Sequence, residues 1–289
     1  MAEALLSKVE SQPFDRLRRL GNADSSALVA LCADDPIVNC FPLSRIATSL
    51  AGSSAGSFWG WFDLQGQLRS ALYAGANVVP ISTDRISRLA FADRLIRLSP
   101  RCSALVGPAE EVLDLWSLLE PAWGVARDVR PTQPLLECSK VTRGVERLPL
   151  RLATEADLPA LIPASVAMFT EELGISPAAT GMSAAYEARV REIVAQERAL
   201  VHVIDGEIVF KAEIGSVAHG VCLIQGVWVR PECRGLGLGT AGMAAVVDFA
   251  LRTAADVVSL YVNSHNASAI NAYRRVGFSE HTMFATVLR

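Results

Sequence analysis

The amino-acid sequence predicts an α/β (α+β) chain built as two domains in tandem, each a mixed, mainly antiparallel sheet flanked by helices. Three observations carry that prediction. Strand-type runs follow one another across short polar turns in both halves, around residues 58–81 and 199–229, the pattern of antiparallel meanders. Helical periodicity separates the later runs in each half, so the sheets are covered by helices. The polar stretch Ser139 to Glu146 reads as a linker dividing 289 residues into halves of similar size, a length that suits one or two domains.

In the first half, Phe58 to Phe62 and Leu68 to Tyr73 flank Asp63, Gln65 and Gly66, which makes a hairpin. Asn77 to Ile81 reads as a strand, Ile86 to Leu98 as an amphipathic helix, Ser103 to Val106 as a strand, Ala109 to Leu119 as a helix, and Val125 to Leu136 as a last extended segment. The glycine cluster from Ala51 to Ser57 reads as a flexible loop ahead of the hairpin.

In the second half, Leu148 to Leu152 is a strand. Thr154-Glu155-Ala156-Asp157 carries N-cap chemistry and opens a helix to about Phe169. A loop then carries Thr170 to Pro177, and a second helix spans roughly Ser183 to Glu197. The meander follows: Ala199 to Ile204, a turn at Asp205-Gly206, Glu207 to Val217, a turn near His219-Gly220, and Val221 to Val229. After it come a loop and helix from Arg234 to Leu251, a strand from Val257 to Val262, a helix from Ala267 to Val276, and a strand from Phe278 to Leu288.

Composition bounds the function classes. The chain is 51% hydrophobic and 20% charged, ample for buried cores, with a formal net charge of −3. No Lys/Arg run is dense enough for a nucleic-acid groove or a membrane patch. The first twenty residues lack a long apolar segment, and no apolar run approaches the roughly 20 residues that span a bilayer. A soluble, cytoplasmic protein is expected, without nucleic-acid or membrane partners. The six cysteines (32, 40, 102, 138, 222, 233) show neither a C-x-x-C pair nor histidine spacing for zinc. No metal is expected, and the thiols read as small buried hydrophobes in a reducing compartment.

The stretch Gln225 to Gly242 is the most informative of the chain. A β-branched and aromatic run (Val227, Trp228, Val229) stops at Pro231, glycines follow at 235, 237 and 239, and a helical pattern begins near Thr240. Glycines so spaced let successive N–H groups converge on one point, and the helix adds the positive end of its dipole. A pyrophosphate suits that spot. A P-loop is excluded, because Gly239 is followed by Thr240 and Ala241 with no lysine. Gly237, Gly239 and Gly242 do fit G-x-G-x-x-G, with Asp256 roughly 20 residues further on. A dinucleotide fold, however, sets its glycines tight against the strand and needs further βα units, whereas Arg230 to Cys233 intervene here and only Ala250 to Arg289 remains.

Val229, Arg230 and Pro231, followed by Arg234, Gly235, Leu236, Gly237, Leu238 and Gly239, match the Arg/Gln-x-x-Gly-x-Gly/Ala acyl-CoA loop of another family. Asn266, Ala269, Tyr273, Gly277 and Phe278 match its second element, one helix and one strand later. On these residues the sequence from about Leu148 to Arg289 resembles the GCN5-related N-acetyltransferases (GNAT), and its element order is theirs, β-α-α-β-β-β-α-β-α-β. The resemblance implies residues 147–289 as the catalytic domain and acetyl-CoA as co-substrate. It implies cofactor contacts from Val227, Trp228, Val229, Arg234, Gly235, Leu236, Gly237, Leu238, Gly239, Thr240 and Asn266. Gly226 suits a β-bulge that would splay the strand, or ordinary close packing. Tyr273 matches the family's general acid, protonated at neutral pH with an ordinary pKa near ~10; a packed core tyrosine is the other reading. Asn266 would also serve as a helix cap.

The general base is less well marked. The glutamate that some relatives carry on the strand before Asn266 corresponds here to Tyr261, so Glu213 is the substitute. Alternation along Phe210 to Ile214 puts Lys211 and Glu213 on one face of a central strand, lining the acceptor site or forming an ordinary ion pair. Glu171 and Glu172 lie where this family walls the acceptor channel and would favour a cationic amine; plain surface charge explains them equally. Residues 1–140 follow the same layout with Pro80, Ile81, Ser82, Thr83 and Asp84 in place of a glycine run. That half resembles the N-terminal region of some actinobacterial acetyltransferases, a degenerate GNAT-like domain without a phosphate loop. The expected activity is acetyl transfer to a primary amine of a protein or small molecule. The alternatives are an acetyl-CoA sensor, a longer acyl donor, and a mycothiol-synthase-like enzyme acting on an amino sugar. Nothing in the sequence marks an oligomer interface.

Overall fold

A computed structural model describes residues 16–52, 56–98, 102–179 and 181–289. Residues 53–55 of the glycine cluster lie outside the described residues. The chain divides into two units, one running to Leu135 and including His281–Arg289, the other comprising Leu136–Glu280.

The first unit opens with β1 (Leu17–Arg19), α1 (Ser25–Ala33) and α2 (Cys40–Leu50). The meander follows as β2 (Gly56–Phe62), β3 (Leu68–Gly75) and β4 (Asn77–Ile81), antiparallel in register Trp59↔Leu72 and Leu72↔Pro80. The expected hairpin turn is built on Asp63, whose Oδ1 accepts the N–H groups of Gln65 and Gln67 at 2.9 and 2.8 Å. Then come α3 (Arg85–Leu98), β5 (Ala104–Pro108) parallel to β4, α4 (Ala109–Trp123) and β6 (Asp128–Cys138), whose residues from Leu136 on belong to the second unit. Phe91, Leu95, Leu115 and Leu119 from the helices pack on Leu72 and Leu105 from the sheet.

The second unit repeats the order. It contains β7 (Arg151–Leu152), α5 (Leu158–Leu173), α6 (Ser183–Ala195), β8 (Ala199–Ile204), β9 (Glu207–Ala218) and β10 (Val221–Val229). It continues with α7 (Leu238–Thr253), β11 (Val257–Tyr261) and α8 (Ala267–Val276), and the chain ends in β12 (Ser279–Leu288). Both layouts are mixed α/β, with mainly antiparallel sheets flanked by helices. One face of the second sheet packs against α7 and α8 through Phe210, Ala212, Met243, Val247 and Val276. The other takes α5 and α6 through Leu161, Val190, Val194, Val201 and Trp228.

Three boundaries differ from the sequence expectation. β12 was expected to close the domain at 147–289, but from His281 onward it belongs to the first unit, pairing antiparallel with β5 at Ala285↔Gly107 and Val287↔Leu105. Ala285 and Val287 are buried in the α3/α4 core, and Thr286 Oγ1 donates to Gln133 Oε1 at 2.6 Å. The strand expected at Leu148 shrinks to Arg151–Leu152, because Pro149 has no N–H for a ladder and Leu148 N–H bonds instead to the Ala241 carbonyl at 3.2 Å. Helix α5 continues past Phe169 to Leu173, where Gly174 at φ +69° stops it with its N–H on the Thr170 carbonyl.

Candidate active site

The site is organised by a gap in the second sheet. β10 pairs in parallel with β11 at Val221↔Val257, Cys222↔Val258 and Leu223↔Ser259, and the pairing stops there although β10 runs on to Val229. On its other edge β10 stays with β9 through Gln225↔Glu213, then resumes at Trp228↔Lys211. Gly226 and Val227 therefore face Ala212 alone, a β-bulge that turns the strand away from β11. Gly226 sits at φ +62°, and a Cβ there would lie 2.7 Å from Glu213 Cδ, so both readings of this glycine hold. Beyond the bulge the side chains alternate. Val227 and Val229 pack toward the α7 and α8 core, and Trp228 toward α5 and α6.

Past Val229, a 3₁₀ turn (Pro231–Cys233) leads into the glycine loop. Gly235 and Gly237 take φ +79° and +82°, in open space where a Cβ would touch nothing. Gly237 is the N-cap of α7 and supplies no side-chain cap. The N–H groups from Gly235 to Thr240 have no acceptor among the described residues, and the first helical N–H to find one is that of Ala241, on the N-cap Gly237 carbonyl at 3.1 Å. Such a run of N–H groups at the positive end of a sixteen-residue helix is suited to a pyrophosphate. Gly242 serves packing: a Cβ there would lie 2.6 Å from ring carbons of the fully buried Phe210, so α7 rests directly on β9.

The first unit lacks this chemistry at the matching place. Ahead of α3, Thr83 gives its N–H and its hydroxyl to Glu111 Oε2 at 2.8 and 2.5 Å, and Ser87 N–H is taken by Asp84 Oδ1 at 2.7 Å. The donors that would meet a phosphate are already bonded to the chain's own carboxylates, and burial pushes the Glu111 carboxyl above its usual range.

Tyr273 lies on α8, buried in the α7/α8 core with its ring 5.8 Å from that of Phe278. Burial first, and the charge of Glu172 second, hold its hydroxyl well above the ordinary phenol range. Asn266 is the N-cap of α8, its Oδ1 accepting from Ala269 N–H at 3.1 Å. Glu171 and Glu172 stand on the last turn of α5 and not in a loop, because the helix runs on. Glu171 bridges two residues of the cofactor side: Trp228 Nε1 donates to its Oε1 at 3.3 Å, and Arg234 pairs with its Oε2 at 2.6 Å while also donating to the Val229 carbonyl at 3.0 Å. The exposed Glu172 is felt electrostatically at both Tyr273 and Tyr186, whose hydroxyl donates to the Ser165 carbonyl at 2.8 Å.

Lys211 and Glu213 do share one face of β9, and they are paired. Lys211 Nζ donates to Glu213 Oε1 at 2.8 Å, to the Gly226 carbonyl at 3.0 Å and to Met168 Sδ at 3.3 Å. Gln225 Nε2 donates to Glu213 Oε2 at 3.2 Å. Lys211 is 1% exposed with its donors committed, so it does not reach an acceptor. Sequence reasoning missed Gln225 and Met168, the outer members of this cluster, because nothing but the folded register brings them to it. No group of metal-ligating side chains is assembled among the described residues.

Residues 166–278 match the acetyltransferase (GNAT) family. This part of the chain is similar to a GNAT domain. Residues 56–161 match a domain of unknown function, DUF4081. A stretch of 69 residues, 24% of the chain, is 35% identical to an uncharacterized N-acetyltransferase of Methanocaldococcus jannaschii, covering 30% of that protein. A match of the same length and identity covers 24% of a mycothiol acetyltransferase of Tsukamurella paurometabola. The chain thus spans less than a third of the curated relatives it matches. Among solved structures, a tandem GNAT protein from the clavulanic acid biosynthesis pathway superposes with a TM-score of 0.58 at 17% identity, covering 93% of this chain and 97% of that one. A GCN5-related N-acetyltransferase from Sphaerobacter thermophilus gives 0.59 at 16%, covering 95% and 96%. At these identities the likeness shows the fold alone, over nearly the whole chain.

Proposed function

We propose that this chain is an N-acyltransferase that moves an acetyl group from acetyl-CoA to a primary amine by direct attack in a ternary complex. The observation that carries the reading is the run of unbonded N–H groups from Gly235 to Thr240, which follows the strand that parts from β11. The loop suits the pyrophosphate, and the gap admits the pantetheine arm alongside the backbone of Val227 to Val229. Arg234 and Asn266 would contact the cofactor along that path.

The amine nitrogen attacks the thioester carbonyl carbon, the C–N bond forms, and the C–S bond breaks. Backbone N–H groups beyond the bulge stabilise the oxyanion that develops meanwhile. Tyr273, kept protonated by burial, donates to the departing sulfur, and the proton shed by the amine balances the transfer. A carboxylate on α5 favours a cationic acceptor, and Glu171 and Glu172 both stand on its last turn. The acceptor is a small molecule or a protein amine, with no nucleic-acid or membrane partner. Cytoplasmic residence fits five buried cysteines that form no disulfide among the described residues, with Cys32 pushed up to about 12 by burial.

A second reading draws on the mycothiol acetyltransferase match, which favours an amino-sugar acceptor under the same chemistry. The deciding experiment is calorimetry with acetyl-CoA and with NAD, on the wild type and on a Gly237→Glu, Gly239→Glu variant. Acetyl-CoA binding that the variant loses is expected. NAD binding in its place would overturn the proposal, and acetyl-CoA binding without transfer to any amine in a broad panel would leave a sensor.

A further inference from the structure

A chain of contacts through Gln225, Glu213 and Lys211 ends on one carbonyl in the second unit. The register of β9 against β10 leaves Gly226 and Val227 opposite a single residue, and the Gly226 carbonyl so displaced is bound by Lys211 Nζ at 3.0 Å. The same ammonium is anchored by Glu213 Oε1 at 2.8 Å and contacts Met168 Sδ on α5 at 3.3 Å. Glu213 fills the space a side chain at position 226 would need and takes Gln225 Nε2 on its second oxygen. Lys211 is 1% and Glu213 8% exposed. Buried ion pairs are weak sources of stability, since an apolar pair of equal volume serves as well or better. What this pair supplies is a fixed geometry. Both of its ends bear on the bulge residues, directly before the Val227 to Val229 backbone.

We propose that Lys211 is a positioning residue that fixes the β10 bulge through the Gly226 carbonyl, and that Glu213 serves to hold Lys211 and not to deprotonate the amine. The carboxylate oxygens of Glu213 are spoken for by Lys211 and Gln225, which leaves the amine proton to another acceptor. This inference rests on the acyl-CoA reading, since the bulge matters to turnover only if the residues after it meet a thioester.

The test uses the full chain, acetyl-CoA, CoA, and the best amine found in the panel. Glu213→Gln keeps the shape and an oxygen for Lys211. It is expected to slow turnover by only about threefold and to leave the acid limb of the pH profile in place, whereas loss of a general base removes roughly a hundredfold or more together with that limb. Lys211→Met with Glu213→Leu removes both charges. It is expected to bind CoA with wild-type affinity, to lower kcat by about tenfold or more with little change in KM, and to speed amide exchange at Gln225 to Val229. Loss of turnover and of the acid limb in Glu213→Gln would overturn the proposal, as would unchanged kcat and exchange in the double variant. Wild-type protein that binds neither CoA nor acetyl-CoA refutes the acyl-CoA reading itself, and that result is seen before any variant is made.

Discussion

Replacing Lys211 by methionine keeps the reach of the side chain and deletes its charge. Glu213 is then left 8% exposed with Gln225 Nε2 at 3.2 Å as its remaining side-chain donor, and the Gly226 carbonyl loses the ammonium at 3.0 Å. Removing one member of a buried ion pair costs about 3–5 kcal/mol, because the other charge stays behind without compensation. For a unit of this size about 1 kcal/mol moves the midpoint by roughly 2–4 °C, so the second unit should melt on the order of 10 °C earlier. Scanning calorimetry on the wild type, Lys211→Met, Glu213→Leu and the double variant closes a mutant cycle. The double variant should be more stable than either single one, since it leaves no buried charge: the exposed Gln225 amide can turn to water, and the Gly226 carbonyl is left short of a partner, a loss of about 1–3 kcal/mol. If Lys211→Met melts within about 1 kcal/mol of wild type, or if the two single losses simply add, the pair is not coupled and the argument for a held bulge fails.

Tyr273→Phe should lower kcat by about tenfold to a hundredfold while acetyl-CoA affinity stays near wild type, because the ring packs on Phe278 either way and only the hydroxyl is lost; steady-state kinetics beside calorimetry reads both, and unchanged kcat removes Tyr273 from the mechanism. The start of α5 should show acid sensitivity. The Arg151 guanidinium, with Thr154 N–H and hydroxyl, holds the Asp157 carboxyl well below its ordinary value of 3.8. A depressed pKa gives stability that is present above the unfolded value and lost as the pH falls through the folded one. The stability gap between wild type and Asp157→Asn, measured by urea unfolding, should therefore be constant near neutrality and shrink below about pH 4, and a gap independent of pH would contradict it.

The parts of the fold legible in the sequence are those set by neighbours along the chain. The meander from Ala199 to Val229 was readable because turn residues bracket each run, and the bulge at Gly226 because a glycine there interrupts a β-branched strand. The loop from Arg234 to Gly239 was readable because glycine spacing and a helix start are both local. Partnerships across the fold were not. The position of Glu171 suits a channel wall or plain surface charge, yet the added turn of α5 carries it to Trp228 and Arg234, which stand 57 and 63 residues away in sequence. Alternation put Lys211 beside Glu213 but could not show that the pair closes on the Gly226 carbonyl. The sequence also placed β12 with the elements that precede it, since strand pairing leaves no local mark when its partner, β5, was made far upstream.

That last placement bears on how the protein is made. A ribosome completes β1 to β5 and their helices early, yet the strand that buries Ala285 and Val287 against α3 and α4 emerges only after the whole of Leu136–Glu280. The first unit must wait, one strand short and with an open edge beside β5, for the synthesis of the second. No single cut of the chain yields either unit whole: a fragment ending at residue 140 lacks its own last strand, and one beginning at 147 carries a strand that belongs elsewhere.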